Sequence, residues 1–305
     1  MVAKIIDGRA VAAKIRAECR ERAHKLKEQF DVVPGLAVIL VGDDPASATY
    51  VRNKVRACID VGVRSVVLRY PREVDYADVT KAVLELNADP SIHGILVQLP
   101  LPNHFVASEV LRAISVDKDV DGFHLYNVGG LVVGDTVFPP CTPYGVLNLL
   151  DHEGISLEGK NVVVVGASNI VGKPLALMLM QRDATVCICH AKTRDLAQFT
   201  ILADVLVVAA GRRNLIVAEM VKTNAVVIDV GINRMENGKL VGDVDFDGVC
   251  QKASYITRVP GGVGPMTVTM LLVNTITSAE RIVRGLKFPN AFDHNMMGTS
   301  PHQPA

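Results

Sequence analysis

The sequence predicts an α/β protein of two α/β domains with a cleft between them, the second built on a doubly wound parallel sheet. Three observations carry that expectation. Short apolar runs alternate with helical stretches along nearly the whole chain, the pattern of βαβ units. The run NVVVVGASNIVGKP (residues 161–174) joins a continuous valine strand to a glycine-bearing turn and a helix. A half-exposed strand would alternate, so four valines in a row read as a strand buried on both faces. Finally, 305 residues of which 49% are hydrophobic supply enough apolar surface for about two domains.

In order, residues 11–30 carry helical spacing with many charges and read as an outer helix. GLAVILV (35–41) is a strand, 44–61 a helix, 66–70 a strand, 79–87 a helix, and GILVQ (94–98) a third strand. A helix near 108–114 leads into DKDVDGFHLYNVGG (117–130), read as a long charged, glycine-rich loop, and FPPCTP (138–143) marks a boundary before a connecting helix at 144–151. The second unit places strands at 162–165, 185–189, 205–208 and 226–229, with a helix at 170–180 after the first. Each strand ends in a small or polar loop: GASN, HAKT, AAGRRN and DVGINR. Ligand loops at carboxyl strand ends are the doubly wound pattern. A short strand at 254–257 precedes PGGVGPMT (260–267), too rich in Gly and Pro for regular structure, and a helix at 268–284 is expected to return to the first domain. The polar stretch 289–305 is expected to be disordered.

Composition excludes several classes. Lys plus Arg equals Asp plus Glu at 32 each, so no whole-molecule field favours nucleic acid or an anionic membrane. No run reaches the ~18 apolar residues of a membrane span, and MVAKIIDGRA has no apolar signal core. Six cysteines lie scattered at 19, 58, 141, 187, 189 and 250 with no zinc-site spacing, which fits a reduced, cytoplasmic protein without a metal. Cys187 and Cys189 flank Ile188 on one strand, point the same way, and read as core packing.

Five stretches carry chemistry. At GASN the helix start presents N–H groups without intrahelical acceptors, and with the helix dipole they attract an anion such as a cofactor pyrophosphate. The spacing Gly166, Ser168, Gly172 departs from G-x-G-x-x-G, and a plain strand-to-helix turn is the other reading. On the helix at 44–61, steps of about 100° per residue put Ser47, Tyr50, Val51, Lys54 and Cys58 on one stripe. Asn53, Arg52, Arg56 and Asp60 fall on the opposite face, so Lys54 is the one charged inward group. It is either a lysine snorkelling past an apolar face or an amine in a partly dry pocket able to act as acid or base. Gln98 stands at a strand's carboxyl end, as a site residue or as a cap for loop amides. Asp119 and Asp121 flank a valine. A loop carboxylate matches the paired N–H donors of a guanidine-like heterocycle such as a pterin, and the same residues before Gly122 also form turns. At 190–194, where a dinucleotide-binding unit usually carries a ribose-binding acid, the chain offers His190, Ala191, Lys192, Thr193 and Arg194. These suit a 2′-phosphate, with a solvated basic loop and Asp195 as the other readings.

Taken together, SATYVRNK (47–54), VQLPLP (97–102), KDVDGFH (118–124), PCTPYG (140–145), GASNIVGKP (166–174), DVGINR (229–234) and PGGVGPMT (260–267) resemble the bifunctional methylenetetrahydrofolate dehydrogenase/cyclohydrolase family, from about Ile5 to Arg284. The resemblance implies Lys54, Gln98 and Asp121 as catalytic residues, with Tyr50, Ser47, Pro260, Gly261, Gly262 and Thr267 at the folate. It implies a Rossmann-type NADP site formed by Gly166, Ala167, Ser168, Ile170, Val171, Gly172, His190, Lys192, Thr193, Gly211, Gly231 and Ile232. It also implies a homodimer through the nucleotide domain, and oxidation of 5,10-methylenetetrahydrofolate with NADP⁺ followed by hydrolysis to 10-formyltetrahydrofolate; the charge balance and hydropathy above give the expectation of no nucleic-acid or membrane partner. The implied units are residues 1–140 plus 270–288 for folate and 141–269 for NADP. Ala191 stands where the family often has serine, Gly130 where it often has a basic residue and Leu125 where it often has proline. A different NAD(P)-dependent dehydrogenase acting on a small acid, or a nucleotide sensor without activity, would share the sheet but not the pairing of Tyr50 with Lys54.

Overall fold

The computed structural model describes residues 2–286, so the polar stretch 289–305 lies outside the described residues. The chain opens with strand β1 (Lys4–Ile6) and helix α1 (Gly8–Phe30). Asp7 starts α1 by accepting the amides of Arg9 and Ala10, and Asp31 ends it in the left-handed conformation. Then follow β2 (Gly35–Val41), α2 (Pro45–Val61), β3 (Arg64–Tyr70), α3 (Tyr76–Ala88), β4 (Gly94–Val97), α4 (Ala107–Arg112), α5 (Leu125–Val133) and α6 (Cys141–His152). β2, β3 and β4 form a parallel sheet in the order β3-β2-β4. Every residue of β2 and β4 is buried, as continuous apolar runs require.

The second half runs β5 (Asn161–Val165), α7 (Gly172–Met180), β6 (Thr185–Cys189), α8 (Ala197–Thr200), β7 (Val205–Val208), β8 (Val226–Asp229), β9 (Asn233–Arg234), β10 (Leu240–Val241), α9 (Phe246–Cys250), β11 (Tyr255–Thr257) and α10 (Val263–Val283). Its larger sheet is parallel, in the order β1-β11-β8-β7-β5-β6. The chain leaves β5 for β6 on one side and returns to β7 on the other, so the loops after β5 and β7 meet at a switch point. They are in close contact: a Cβ on Gly166 would lie 2.2 Å from the Ala209 carbonyl oxygen. Cys189 is buried, but Cys187 is only partly covered, because β6 is the sheet edge.

Three expectations need correction. Residues 4–6, read as part of the first unit, pair in parallel with β11 and extend the second sheet. Three residues carry too short a pattern to register as a strand. The region 117–130 is not a plain loop. His124 Nδ1 accepts the Tyr126 amide at the start of α5, and Gly134 ends the helix at φ 81°, so a helix forms across Gly129 and Gly130. Helix α10 begins at Val263, inside PGGVGPMT. Pro265 falls in the first turn, where amides have no intrahelical acceptor and a missing N–H costs little.

Helix α10 ties the halves together. It packs on α1, α2 and α6, and Arg22 of α1 forms a two-pronged ion pair with Glu280 at 2.7 and 2.9 Å. Its Asn274 donates to the carbonyls of Val120 (2.8 Å) and Pro139 (3.0 Å), while Ser278 donates to those of His93 and Asp117. The segment that bears Asp121 is thereby fixed from behind. Among the described residues no helix is long and apolar enough to cross a membrane.

Candidate active site

Helix α2 lays Lys54 across the carboxyl end of β4. Asp44 caps the helix by accepting the Ser47 amide at 2.7 Å, with Pro45 in the first turn. Ser47, Val51 and Cys58 are buried, and Lys54 is half-buried on the same stripe. Tyr50 is more open than the stripe alone implies, at 36% exposure, because it stands at the rim rather than in the core. Lys54 Nζ donates to Gln98 Oε1 at 3.0 Å, and Gln98 Nε2 donates to the Leu99 carbonyl at 2.8 Å. The second bond fixes which end of the amide meets the lysine. Burial lowers the Lys54 pKa, against an opposing pull from Asp121.

The two aspartates of DKDVDG divide their work. Asp119 is buried and accepts from the Phe123 and His124 amides (3.2 and 2.8 Å) and from Asn127 Nδ2 (2.7 Å). It is the turn former, and burial pushes its pKa up despite those donors. Asp121 instead lines a cavity of about 330 Å³ together with Tyr50, Lys54, Gln98 and Thr267. Burial raises its carboxyl to about 6, with the Lys54 charge working in the opposite direction. The lining also includes Ile170, Val171 and Ile232 from the second unit, so both units contribute to the cavity. Ser47 lines neither this cavity nor its larger neighbour, in which Pro260, Gly261, Gly262 and Gly231 stand.

The remaining nucleotide-loop residues sit at the carboxyl ends of β5, β6 and β7. Ser168 Oγ accepts the amides of Val171 (3.1 Å) and Gly172 (3.4 Å), so it caps α7. Two of the amides expected to face an anion are thus taken, and the Ser168 hydroxyl keeps its own hydrogen for donation. A Cβ at Gly172 would lie 1.8 Å from the Gly166 carbonyl oxygen, so only glycine lets helix and strand end close this tightly. This glycine cradle, with Ala167 between its glycine and the capping serine, fits a pyrophosphate. Beyond β6, His190 and Thr193 close a turn: the His190 amide donates to Thr193 Oγ1 (2.9 Å), and His190 Nδ1 accepts the Lys192 amide (3.1 Å). The side chains of His190 and Lys192 are exposed, and Asp195 Oδ2 accepts from Gln198 Nε2. Among the described residues no group of three or more His, Cys, Asp or Glu side chains could hold a metal.

A family model described as tetrahydrofolate dehydrogenase/cyclohydrolase, catalytic domain, matches residues 6–121, and its NAD(P)-binding counterpart matches residues 140–283. The chain belongs to the tetrahydrofolate dehydrogenase/cyclohydrolase family. It is 58% identical over 281 residues to the bifunctional protein FolD of Nitrosospira multiformis, covering 92% of this chain and 97% of that one. Identity to FolD of Polaromonas naphthalenivorans is 59%, covering 92% of this chain and all of the relative. The FolD crystal structure from Campylobacter jejuni superposes with a TM-score of 0.90 at 51% identity, covering 92% of this chain and 99% of the other. FolD of Trypanosoma brucei, solved with NADP and an inhibitor, superposes with a TM-score of 0.90 at 40% identity, over 93% and 99% of the two chains. This dehydrogenase/cyclohydrolase is therefore a bifunctional enzyme, methylenetetrahydrofolate dehydrogenase and methenyltetrahydrofolate cyclohydrolase, with an NAD(P)-binding second domain.

Several residues of the dehydrogenase/cyclohydrolase site escape sequence reasoning. Thr142 lies 3.0 Å from Thr267, hydroxyl to hydroxyl, on the cavity wall. It sits in PCTPYG, where a threonine between a cysteine and a proline carries no chemical signal of its own. Asp243 Oδ2 accepts the amides of Ala210 and Gly211 at 2.7 and 2.8 Å, and Asp243 Oδ1 accepts Asn233 Nδ2 at 2.8 Å. Asp229 accepts the amides of Gly231, Asp243 and Val244, each at 3.0 Å. These two acids lock together the loops that carry Gly211, Gly231 and Ile232. Nothing local in VGDVDF signals that role, because the partners lie about 30 residues away in sequence.

Proposed function

We propose that the folate pterin occupies the 330 Å³ cavity, with Asp121 accepting its paired N–H donors, Tyr50 stacking on the substrate and Lys54 serving as the acid/base group. The observation that carries this reading is the Lys54–Gln98 bond of 3.0 Å inside a cavity that also holds Asp121 and apolar residues of the cofactor domain. Gln98 is a positioning residue: it holds the amine through one bond and is itself held by the Leu99 carbonyl. Thr267, with Thr142, borders the same cavity, and Pro260, Gly261 and Gly262 border the exit of the substrate tail. The buried Ser47 supports α2 beneath the folate rather than lining either cavity.

The enzyme oxidises 5,10-methylenetetrahydrofolate to the 5,10-methenyl cation and hydrolyses that cation to 10-formyltetrahydrofolate. Bound NADP⁺ supplies the hydride acceptor. What the protein adds to the first step is alignment: the folate wall of α2 and β4 faces Ile170, Val171 and Ile232 across one cavity. No side chain need move a proton there. The second step adds water to the one-carbon bridge and opens the ring, and both events transfer protons. Lys54 lines the cavity where that chemistry is proposed, and burial shifts its amine toward the neutral form. Gly166, Ala167, Ser168 and Gly172 hold the pyrophosphate, Gly211, Gly231 and Ile232 approach the nicotinamide end, and His190, Lys192 and Thr193 hold the 2′-phosphate, which selects NADP over NAD.

The same reading includes a cytoplasmic homodimer, with a folate unit of residues 1–140 plus 270–288 that lends β1 to the NADP unit at 141–269. All six cysteines are free thiols, as a reducing compartment allows. Edge strand β6 carries an exposed Ile188, and Met180 of α7 and Val132 and Val133 of α5 are exposed on neighbouring elements. An apolar sheet edge of this kind pairs readily with a second copy. Light scattering reads the dimer, which Ile188→Asp should dissociate. Equilibrium binding tests the folate assignment: Asp121→Ala should weaken folate and spare NADP. Unchanged folate affinity would mean that the pterin's partner lies elsewhere than Asp121.

A further inference from the structure

Asp243 is fully buried and lines neither cavity, yet the segments that follow β7, β8 and β10 meet on it. Its Oδ2 accepts both amides of the turn after β7, those of Ala210 and Gly211. Its Oδ1 accepts Asn233 Nδ2, on the residue next to Ile232. Its own amide donates to Asp229 Oδ1, which also takes the Gly231 amide. Amide donors thus hold both carboxylates where water is excluded. The packing is reciprocal. A Cβ on Gly242, beside Asp243, would lie 1.8 Å from Asp229 Oδ2. A Cβ on Gly231, just past Asp229, would lie 2.2 Å from Asp243 Cγ. Neither acid can move without displacing the other's loop.

The consequence reaches the cleft through Ile232, which lines the catalytic cavity and is 43% exposed. Its two chain neighbours are both anchored, Gly231 by Asp229 and Asn233 by Asp243. The turn after β7 is tied to the same acid, and the Ala209 carbonyl in turn fills the space a side chain at Gly166 would need. A shift of Asp243 therefore moves the β7 and β8 loops together and presses on the loop after β5. Lys54, Gln98 and Asp121 are held from another direction, by α2, by β4 and by the bond from Asn274 to the Val120 carbonyl.

We propose that Asp243 is a positioning residue for hydride transfer alone: it sets the β7 and β8 loops that receive the nicotinamide end, and takes no part in hydrolysis. The inference rests on the reading above that Gly211, Gly231 and Ile232 approach the nicotinamide. Hydride transfer depends on the alignment of two carbons, and a misplacement of about 1 Å can cost about 10²-fold in rate. Hydrolysis of the methenyl compound needs water and the Lys54 side of the cleft.

The test uses the full chain in two assays: NADPH formation from methylenetetrahydrofolate over a range of NADP⁺, and hydrolysis of added methenyltetrahydrofolate without cofactor. Asp243→Asn sets an N–H group against a donor whichever way its amide turns. Asn233→Asp, at the half-buried end of the same bond, opposes two carboxylates. Each variant should lower dehydrogenase kcat/KM for NADP⁺ at least about tenfold, as the loss of one charge-assisted bond gives, and keep most of the hydrolysis. Asp243→Asn combined with Asn233→Asp restores a donor to an acceptor and should recover part of the loss. Recovery stays partial because the Gly242 carbonyl, which also accepts Asn233 Nδ2 at 3.1 Å, remains unmatched. Should Asp243→Asn fail to fold, Asn233→Asp carries the test. Wild-type kcat/KM for NADP⁺ in the folded single variants overturns the positioning role alone. So does an equal loss of both activities, or a double variant no better than either single. Ile232→Ala checks the underlying reading: a reduced kcat/KM for NADP⁺ is expected, and an unchanged one overturns the nicotinamide assignment and the role of Asp243 with it.

Discussion

Replacing Lys54 with methionine separates the two reactions. The substitution keeps the apolar stem along α2 and removes the amine that donates to Gln98 at 3.0 Å. General acid–base groups contribute about 10²–10⁴ in rate, or roughly 3–5 kcal/mol of barrier. Cyclohydrolase activity of Lys54→Met should therefore fall by at least about 10²-fold. Hydride transfer depends on alignment, so dehydrogenase activity should survive in part. Gln98 Oε1 loses its donor, a cost of about 1–3 kcal/mol, but removal of a desolvated cation offsets it, and the fold should persist. One further consequence is electrostatic: the Lys54 charge works against the rise of the Asp121 carboxyl to about 6, so protonation of Asp121 should move to higher pH in the variant. The assay follows the methenyl absorbance from added methenyltetrahydrofolate, and NADPH formation from methylenetetrahydrofolate. Wild-type hydrolysis of the methenyl compound by Lys54→Met would refute the reasoning and leave Lys54 a packing lysine.

Other outcomes follow from the same geometry. Burial raises the Asp121 carboxyl to about 6, so it becomes protonated and loses an acceptor as pH falls through that value. The kcat/KM for folate should drop below about pH 6, a limb that Asp121→Asn abolishes; an unchanged limb in the variant assigns it elsewhere. If His190, Lys192 or backbone amides grip a 2′-phosphate, charge-assisted bonds of about 1.5–3 kcal/mol give a tenfold to hundredfold preference for NADP⁺ over NAD⁺. Equal kcat/KM for the two would trace to Ala191, which lacks a hydroxyl donor. Gly172→Ala should reverse the usual helix gain of alanine over glycine, about 1 kcal/mol, because its Cβ would sit 1.8 Å from the Gly166 oxygen. A lowered melting temperature and a raised KM for NADP⁺ are expected, and unaltered values would show that the cradle can open freely.

Much of the fold was legible because its core strands are apolar runs without alternation. The runs at 35–41, 162–165, 205–208 and 226–229 coincide with β2 and with the buried residues of β5, β7 and β8. What misled was glycine and proline. Gly129 and Gly130, in the middle of α5, masked that helix, and Pro265 masked the first turn of α10, although a helix start tolerates proline. β1 was invisible because three residues carry no period, and its partner β11 lies far away in sequence, Lys4 pairing with Tyr255. In the site, helical spacing alone brought Lys54 inward, and strand position alone put Gln98 within reach of it. The separation of Asp119 from Asp121 could not be read, since both precede the same turn and only tertiary packing turns one toward its amides and the other toward the cavity. Asp243 was missed for a related reason: its partners come from elements distant in sequence.

The central claim is that one cleft carries both steps on one folate. Its most direct test mixes the purified chain with 5,10-methylenetetrahydrofolate and NADP⁺ and follows NADPH, the methenyl absorbance and 10-formyltetrahydrofolate together. The account predicts NADPH and 10-formyltetrahydrofolate rising in equal amounts, with methenyltetrahydrofolate as the intermediate. NADPH formation with methenyltetrahydrofolate lost no faster than it is without enzyme, or no NADPH at all, would contradict it.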